Sequence, residues 1–143
     1  MPGSPPAPSN RVLLVDSDYR TSNRLAALLR DDGFEVDVVR DGAAAIAQLT
    51  RSPLPDVLIT ELKMRFADGV SVARYARAQR PGLRVVVLTG HPHLLQPGAI
   101  GSPSPLVLTK PLDYAQLLAA LTAPTSAATA KSCSISGPFA EKC

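Results

Sequence analysis

Short apolar runs alternate with segments of helical periodicity along most of the chain. Five runs rich in Val, Leu and Ile predict strands at residues 11–16, 34–39, 56–61, 83–89 and 105–109. The first, RVLLVD, is continuously apolar, which is typical of a parallel strand buried on both faces. Each run is short and is followed by polar residues, so the runs predict separate strands of one sheet.

The residues between these runs show the three-to-four spacing of amphipathic helices. Leu25, Leu28 and Leu29 share one helix face, and Gly33 follows as a helix stop. An Ala-rich helix is predicted at 43–51, after a turn at Asp41-Gly42, and two more around 70–76 and 114–121. Strands alternating with helices predict an α/β fold, with a parallel sheet, right-handed crossovers and helices on both faces.

The fourth crossover is unusual. Residues 90–104, GHPHLLQPGAIGSPS, contain three prolines and two internal glycines, which limits the predicted fourth helix to one or two turns. A short or irregular fourth helix is therefore expected. Its two histidines, His91 and His93, are expected to be solvent-exposed.

Composition sets the limits of the domain. The chain has 143 residues, of which 1–10 are rich in Pro and Ser and 123–143 in Ala, Thr and Ser. These ends predict a disordered lead-in and a flexible tail around a domain at 11–122. Without a long apolar span or a secretory signal, a cytoplasmic location is expected. The two cysteines, Cys133 and Cys143, fall in the tail and predict reduced thiols.

The net charge is +3. Its densest basic group is Arg74, Arg77, Arg80 and Arg84, which predicts a solvated helix face. Aromatic residues are not interleaved with these arginines, and no DNA-binding motif is present. Direct binding to nucleic acid is therefore not expected.

Polar residues collect where the predicted strands end, and strand ends carry the sites of parallel sheets. Asp16, Ser17 and Asp18 follow the first strand, and Asp18 is expected to cap the next helix. Glu61 ends the third strand, and Thr89 ends the fourth. Lys110 follows the fifth strand, so two acids, a hydroxyl and a lysine are expected at one sheet edge.

The segments VLLVDSD, DVLITELKMRFADG, VVVLTG and LTKP resemble the response-regulator receiver family over residues 11–122. The resemblance implies a flavodoxin-like, doubly wound sheet of order 2-1-3-4-5. In that family an aspartate at the third strand end accepts a phosphoryl group from a histidine kinase, and acids after the first strand help it bind Mg²⁺. The resemblance assigns Asp16 to the acidic pocket, Thr89 as the switch hydroxyl and Lys110 as the phosphoryl contact. Asp68-Gly69 is a further marker.

Three positions depart from the family pattern. Glu61 replaces the acceptor aspartate, Ser17 replaces a metal-binding acid, and Val107 replaces the switching aromatic residue. A displacement of about 1 Å can slow group transfer about 100-fold. The longer Glu61 side chain is instead expected to reach Lys110. No cofactor is expected, and Mg²⁺ would bind weakly, if at all, through Asp16, Glu61 and the backbone carbonyl of Lys63.

These departures predict a pseudo-receiver, which is not an enzyme and acts through protein contacts with impaired or absent phosphorylation. The expected partner is a histidine kinase or downstream effector, bound through the fourth helix, fifth strand and last helix, with a homodimer as an option and no membrane contact. One alternative is slow phosphorylation of Glu61. Another is a haloacid-dehalogenase-like phosphohydrolase with Asp16 as nucleophile and Asp18 as acid/base. Against that enzyme, Arg20 stands where its motif has Thr or Val, and no acid pair follows Lys110.

Overall fold

The computed structural model describes residues 11–51, 53–64 and 68–122. Its strands are β1 Arg11–Val15, β2 Glu35–Val39, β3 Val57–Glu61, β4 Arg84–Thr89 and β5 Leu106–Thr109. Its α-helices are α1 Tyr19–Asp31, α2 Gly42–Leu49, α3 Gly69–Gln79 and α4 Tyr114–Thr122. The described residues up to 112 belong to one compact unit and residues 113–122, which contain α4, belong to a second. The predicted tail, with both cysteines, and the predicted lead-in lie outside the described residues.

All five strands are parallel and follow the order β2-β1-β3-β4-β5, which confirms the predicted flavodoxin-like sheet. Leu13, Val15 and Leu58 pack in one apolar cluster with residues of α2 and α3. Val12 and Leu14 are fully buried and, by strand alternation, point to the opposite face. Burial on both faces explains the continuous apolar run of β1.

Aspartates cap the helices that follow three of the strands. Asp18 accepts hydrogen bonds from the backbone N–H groups of Arg20 and Thr21, which confirms its predicted role as the cap of α1. Asp68 caps α3 in the same way. The turn predicted at Asp41-Gly42 lies one residue earlier, at Arg40-Asp41, because Asp41 caps α2 and Gly42 is the first residue of that helix. An aspartate beside a glycine suits a turn, but here its carboxylate satisfies a helical N–H group.

The connection between β4 and β5 contains only a single 3-10 turn, Pro92–Leu94, which confirms the prediction of a short, irregular fourth helix. His91 and His93 are exposed, as expected, and their rings meet edge to face with centroids 5.9 Å apart. The following backbone is held by short turns, and both Gly98 and Gly101 adopt positive φ angles.

The prediction of a solvated arginine face is wrong for Arg77. That side chain is buried, its Nε donates to the carbonyl oxygen of Leu83 at 3.2 Å, and its Nη1 donates to the carbonyl oxygen of Pro103. Burial lowers the pKa of the Arg77 guanidinium from its ordinary value. Its neighbour Arg80 is half-buried and pairs with Asp56 at 2.5 Å. Helical spacing could not distinguish these residues, because their partners lie in other segments.

Candidate functional site

Three charged side chains meet at the carboxyl edge of the sheet. Lys110 follows β5, and its Nζ lies 3.1 Å from Asp16 Oδ2 and also donates to Glu61 Oε1. β1, which ends beside Asp16, pairs directly with β3, which ends at Glu61, and this pairing brings the two carboxylates together. The expected contact between Glu61 and Lys110 is therefore present.

The second oxygen of each carboxylate is held by the backbone. Asp16 Oδ1 accepts the N–H of Asp18 at 2.9 Å, and Glu61 Oε2 accepts the N–H of Leu62 at 3.0 Å. Asp16 is buried, and the Glu61 side chain is only 14% exposed. Charge-assisted bonds of this kind are the strong ones in proteins. Both acids are thus fixed at two points each, with little water around them.

The lysine is the positive charge of this cluster. Burial alone would lower the pKa of Lys110, but the hydrogen bonds and charges of Glu61 and Asp16 outweigh it and raise that pKa above its ordinary value. Lys110 therefore stays an ammonium ion at any physiological pH. One cation bridges two carboxylates, and the three side chains carry a net charge of about −1.

A model of the response regulator receiver domain matches residues 12–122 of the chain. The chain belongs to this family. Receivers of this kind act in two-component signal transduction, as the resemblance in the sequence implied. The resemblance rested on the strand-end residues, and the site just described contains those same positions.

Individual relatives agree with this assignment. The acid tolerance regulatory protein ActR of Rhizobium meliloti is 30% identical over 80% of this chain, which spans 59% of ActR. The DNA-binding response regulator MtrA of Mycobacterium leprae is 34% identical over 55% of this chain, which spans 34% of MtrA. The chain therefore spans only part of the length of these curated relatives.

Solved structures show the same fold. A response regulator receiver protein from Sinorhizobium medicae superposes with a TM-score of 0.73 at 32% identity, covering 80% of this chain and 93% of that one. The chemotaxis response regulator CheY4 of Vibrio cholerae superposes with a TM-score of 0.69 at 28% identity, covering 79% and 96%. The chain therefore shares the receiver fold with these proteins.

Thr89, to which the resemblance assigns the role of switch hydroxyl, is buried and hydrogen-bonded within its own segment. Its Oγ1 accepts the N–H of His91 at 2.9 Å, and its carbonyl oxygen accepts the N–H of Lys110 at 2.9 Å. The second bond positions the lysine backbone beside the end of β4. Thr89 therefore helps to hold the segment that follows it and the residue that carries the ammonium group.

The other predicted site residues lie apart from this network. Ser17 and Lys63 are exposed, and Val107 is half-buried, where it packs against the apolar cluster of the α2 and α3 side. In residues 11–51, 53–64 and 68–122, no group of three or more His, Cys, Asp or Glu side chains is arranged to hold a metal ion. A divalent ion favours several oxygen ligands, and the two buried carboxylates already share an ammonium ion. Both acids that the resemblance assigns to a metal site, Asp16 and Glu61, are in contact with the Lys110 ammonium group.

The family marker Asp68-Gly69 has a steric reason here. A Cβ atom on Gly69 would lie 2.2 Å from the carbonyl oxygen of Glu61, and the Gly69 N–H donates to the carbonyl oxygen of Leu62 at 2.8 Å. The first turn of α3 therefore packs directly against the backbone of Glu61 and Leu62. Sequence reasoning missed this role of Gly69, and also the Leu62 N–H, because a backbone donor leaves no signal in residue identity.

Proposed function

We propose that this chain is a pseudo-receiver, which acts through protein–protein contacts and is impaired in or incapable of phosphorylation at the end of β3. The observation that supports this most is the Lys110 ammonium ion between Asp16 and Glu61. The ammonium group engages both carboxylates at the positions to which the resemblance assigns metal binding and phosphoryl acceptance.

The geometry works against phosphoryl transfer in two ways. Glu61 Oε1 accepts a hydrogen bond from Lys110 and Oε2 accepts one from Leu62, and both bonds withdraw electron density from the carboxylate and weaken it as a nucleophile. The transferred phosphoryl group also needs its charge neutralised, mainly by metal ions. Ser17 supplies a neutral, exposed hydroxyl in place of an acid, so we expect Mg²⁺ to bind weakly and no cofactor to be required.

The alternatives have weaker support. Slow phosphorylation of Glu61 requires the Lys110 contact to open. A phosphohydrolase would need Asp16 as a free nucleophile and Asp18 as an acid/base, yet Asp16 is ion-paired and Asp18 caps α1. A side-chain hydrogen bond from Thr21 keeps the pKa of Asp18 below its ordinary value, which suits a cap and not a proton donor. We therefore propose that the chain is not an enzyme.

The proposed partner is a histidine kinase or a downstream effector protein in the cytoplasm. Contact is proposed through β5 and the segment before it, where Leu94 and Leu106 are exposed apolar residues. A second copy of the chain is an alternative occupant of this surface. No helix in the described part of the chain is long and apolar enough to cross a membrane. No direct nucleic-acid contact is proposed, since Arg77 of α3 is buried and leaves Arg74 as the exposed arginine of that helix.

Incubation with acetyl phosphate and Mg²⁺, followed by intact-mass measurement, tests the proposal. The natural chain is expected to carry no phosphoryl group, whereas the double variant Ser17→Asp/Glu61→Asp is expected to gain one, because it regains an acceptor and a metal-binding acid. Glu61→Gln is the matched control and should stay unmodified. Stoichiometric, Mg²⁺-dependent labelling of Glu61 in the natural chain would overturn the pseudo-receiver and support slow phosphorylation.

A further inference from the structure

The first helix and the end of β2 form a basic and aromatic surface that the function proposed above does not use. Its residues are the exposed Tyr19, Arg20, Asn23 and Arg24 of α1, together with the half-buried Arg40 that follows β2. These residues are the α1 face. β2 and β5 are the opposite edges of the sheet, so the α1 face is separate from the partner surface proposed at β5.

The aromatic part of the α1 face is ordered in advance. Tyr19 is 63% exposed, more than any other large hydrophobic side chain in the described part of the chain. The Arg40 guanidinium lies 3.8 Å from the centroid of its ring, and Nη2 of Arg40 donates to Asn23 Oδ1 at 3.3 Å. Tyrosine and arginine dominate the binding energy of protein interfaces. A side chain that is already held loses less entropy when a partner binds.

The positive charge of the α1 face is not neutralised within the chain. The ion pairs among the described residues leave Arg20, Arg24 and Arg40 without a carboxylate partner, and the buried Nη1 of Arg40 has no hydrogen-bond partner there. The carboxylate of Asp18 is occupied by the cap of α1, where it accepts two backbone N–H groups and the hydroxyl of Thr21. Because a cation in the first turn opposes the helix macrodipole, Arg20 does not stabilise α1.

The spacing of these groups indicates the shape of an acidic partner. Arg20 and Arg24 are four residues apart on α1, which separates their Cβ atoms by about 5–6 Å. Two glutamates four residues apart on a partner helix have the same spacing and can each accept an arginine fork. The exposed ring of Tyr19 needs an apolar neighbour from the same partner.

A nucleic acid matches the α1 face less well. Single-stranded nucleic acids bind by stacking their bases on free aromatic faces along a basic groove. Arg40 already covers one face of the Tyr19 ring, and no other aromatic residue belongs to the α1 face.

We propose that the α1 face binds an acidic amphipathic helix of a partner protein. Glutamates of that helix pair with Arg20 and Arg24, and one of its apolar side chains packs on Tyr19 beside Arg40. This interaction goes beyond the pseudo-receiver function and depends neither on the state of Glu61 nor on the surface at β5.

The test is a titration of the full chain with a synthetic helical peptide of Glu and Leu, in which the glutamates are four residues apart. Saturable amide NMR shifts are expected at residues 19–24 and 40, with a Kd of about 100 μM or below. Raising the salt from about 0.05 M to about 0.3 M should weaken binding about tenfold, because exposed charges are screened. The same peptide with Gln in place of every Glu should bind at least about tenfold more weakly.

Two pairs of substitutions separate the α1 face from general charge attraction. Arg20→Gln/Arg24→Gln should weaken peptide binding at least about tenfold. Arg51→Gln/Arg74→Gln removes the same charge at exposed positions outside the α1 face and should change the Kd by less than about twofold. Circular dichroism checks that both double variants are folded.

Equal weakening by the two double variants, equal binding of the Gln peptide, or the absence of saturable shifts on the α1 face would overturn the proposal. Binding of an oligothymidylate at the α1 face without any binding of the acidic peptide would also overturn it, because the surface would then belong to a nucleic acid. These results are independent of the acetyl phosphate experiment, so this proposal and the pseudo-receiver function can fail separately.

Discussion

Replacing Lys110 by methionine is the sharpest test of the charge cluster. The change keeps most of the apolar stem and removes the ammonium ion, which leaves Asp16 and Glu61 facing each other without a cation. The lost ion pair at 3.1 Å corresponds to about 5 kcal/mol at an effective dielectric constant of about 20. Part of this is recovered, since the Glu61 side chain can turn toward water.

Breaking one side of a buried ion pair typically costs about 3–5 kcal/mol. The Lys110 side chain is 26% exposed, so we expect the lower end, about 3 kcal/mol, in the free energy of unfolding at pH 7. Urea unfolding followed by circular dichroism measures this difference. Lys63→Met, at an exposed position of the same sheet edge, is the matched control and should change stability by less than about 0.5 kcal/mol.

A second substitution separates charge from packing. Adding Glu61→Gln to Lys110→Met removes one of the two opposed carboxylates, so the double variant should recover part of the lost stability. If Lys110→Met lowers the free energy of unfolding by less than about 1 kcal/mol, or by no more than Lys63→Met does, Lys110 does not act as a stabilising cation between the two acids.

Three further predictions concern pH and packing. The pKa of Lys110 is raised in the folded state, so the stabilisation that Lys110 gives the fold is complete below pH 10.5, the ordinary pKa of a lysine. This stabilisation is lost as the pH rises through the higher pKa of the folded state. Alkaline titration should therefore lower the free energy of unfolding of the natural chain in this pH range but not that of Lys110→Met. Gly69→Ala should lower the free energy of unfolding, measured with urea, by about 2 kcal/mol or more, because the added Cβ would overlap the last carbonyl group of β3. The control Gly82→Ala adds a Cβ that meets no neighbouring atom and should leave the stability nearly unchanged. Arg77→Met should lower the free energy of unfolding by about 1–3 kcal/mol, because it leaves two carbonyl groups without their hydrogen-bond donor. It should also speed amide hydrogen exchange in the segment before β5. Arg74→Met, at an exposed position of the same helix, should change neither quantity. Equal effects within either matched pair would contradict the packing interpretation.

Much of the fold could be predicted from the sequence, because its strands and helix ends depend on local patterns of residues. The apolar runs marked each strand to within one residue at its end, since a strand buried on both faces leaves an unbroken apolar stretch. Gly33 and the prolines after Thr89 marked where helices stop or fail to form. The resemblance at the strand ends then supplied the strand order, which local pattern alone does not contain.

The sequence by itself determined the fold class, the strand ends and the identity of the groups gathered there, including the replacement of an aspartate by Glu61. Tertiary structure alone decided which of those groups touch and which backbone atoms hold them. The Leu62 N–H on Glu61, the packing of Gly69 against its peptide and the burial of Arg77 depend on backbone atoms that every residue carries. Such contacts form only when segments that are distant in sequence pack together, so they cannot be predicted from the pattern of side chains.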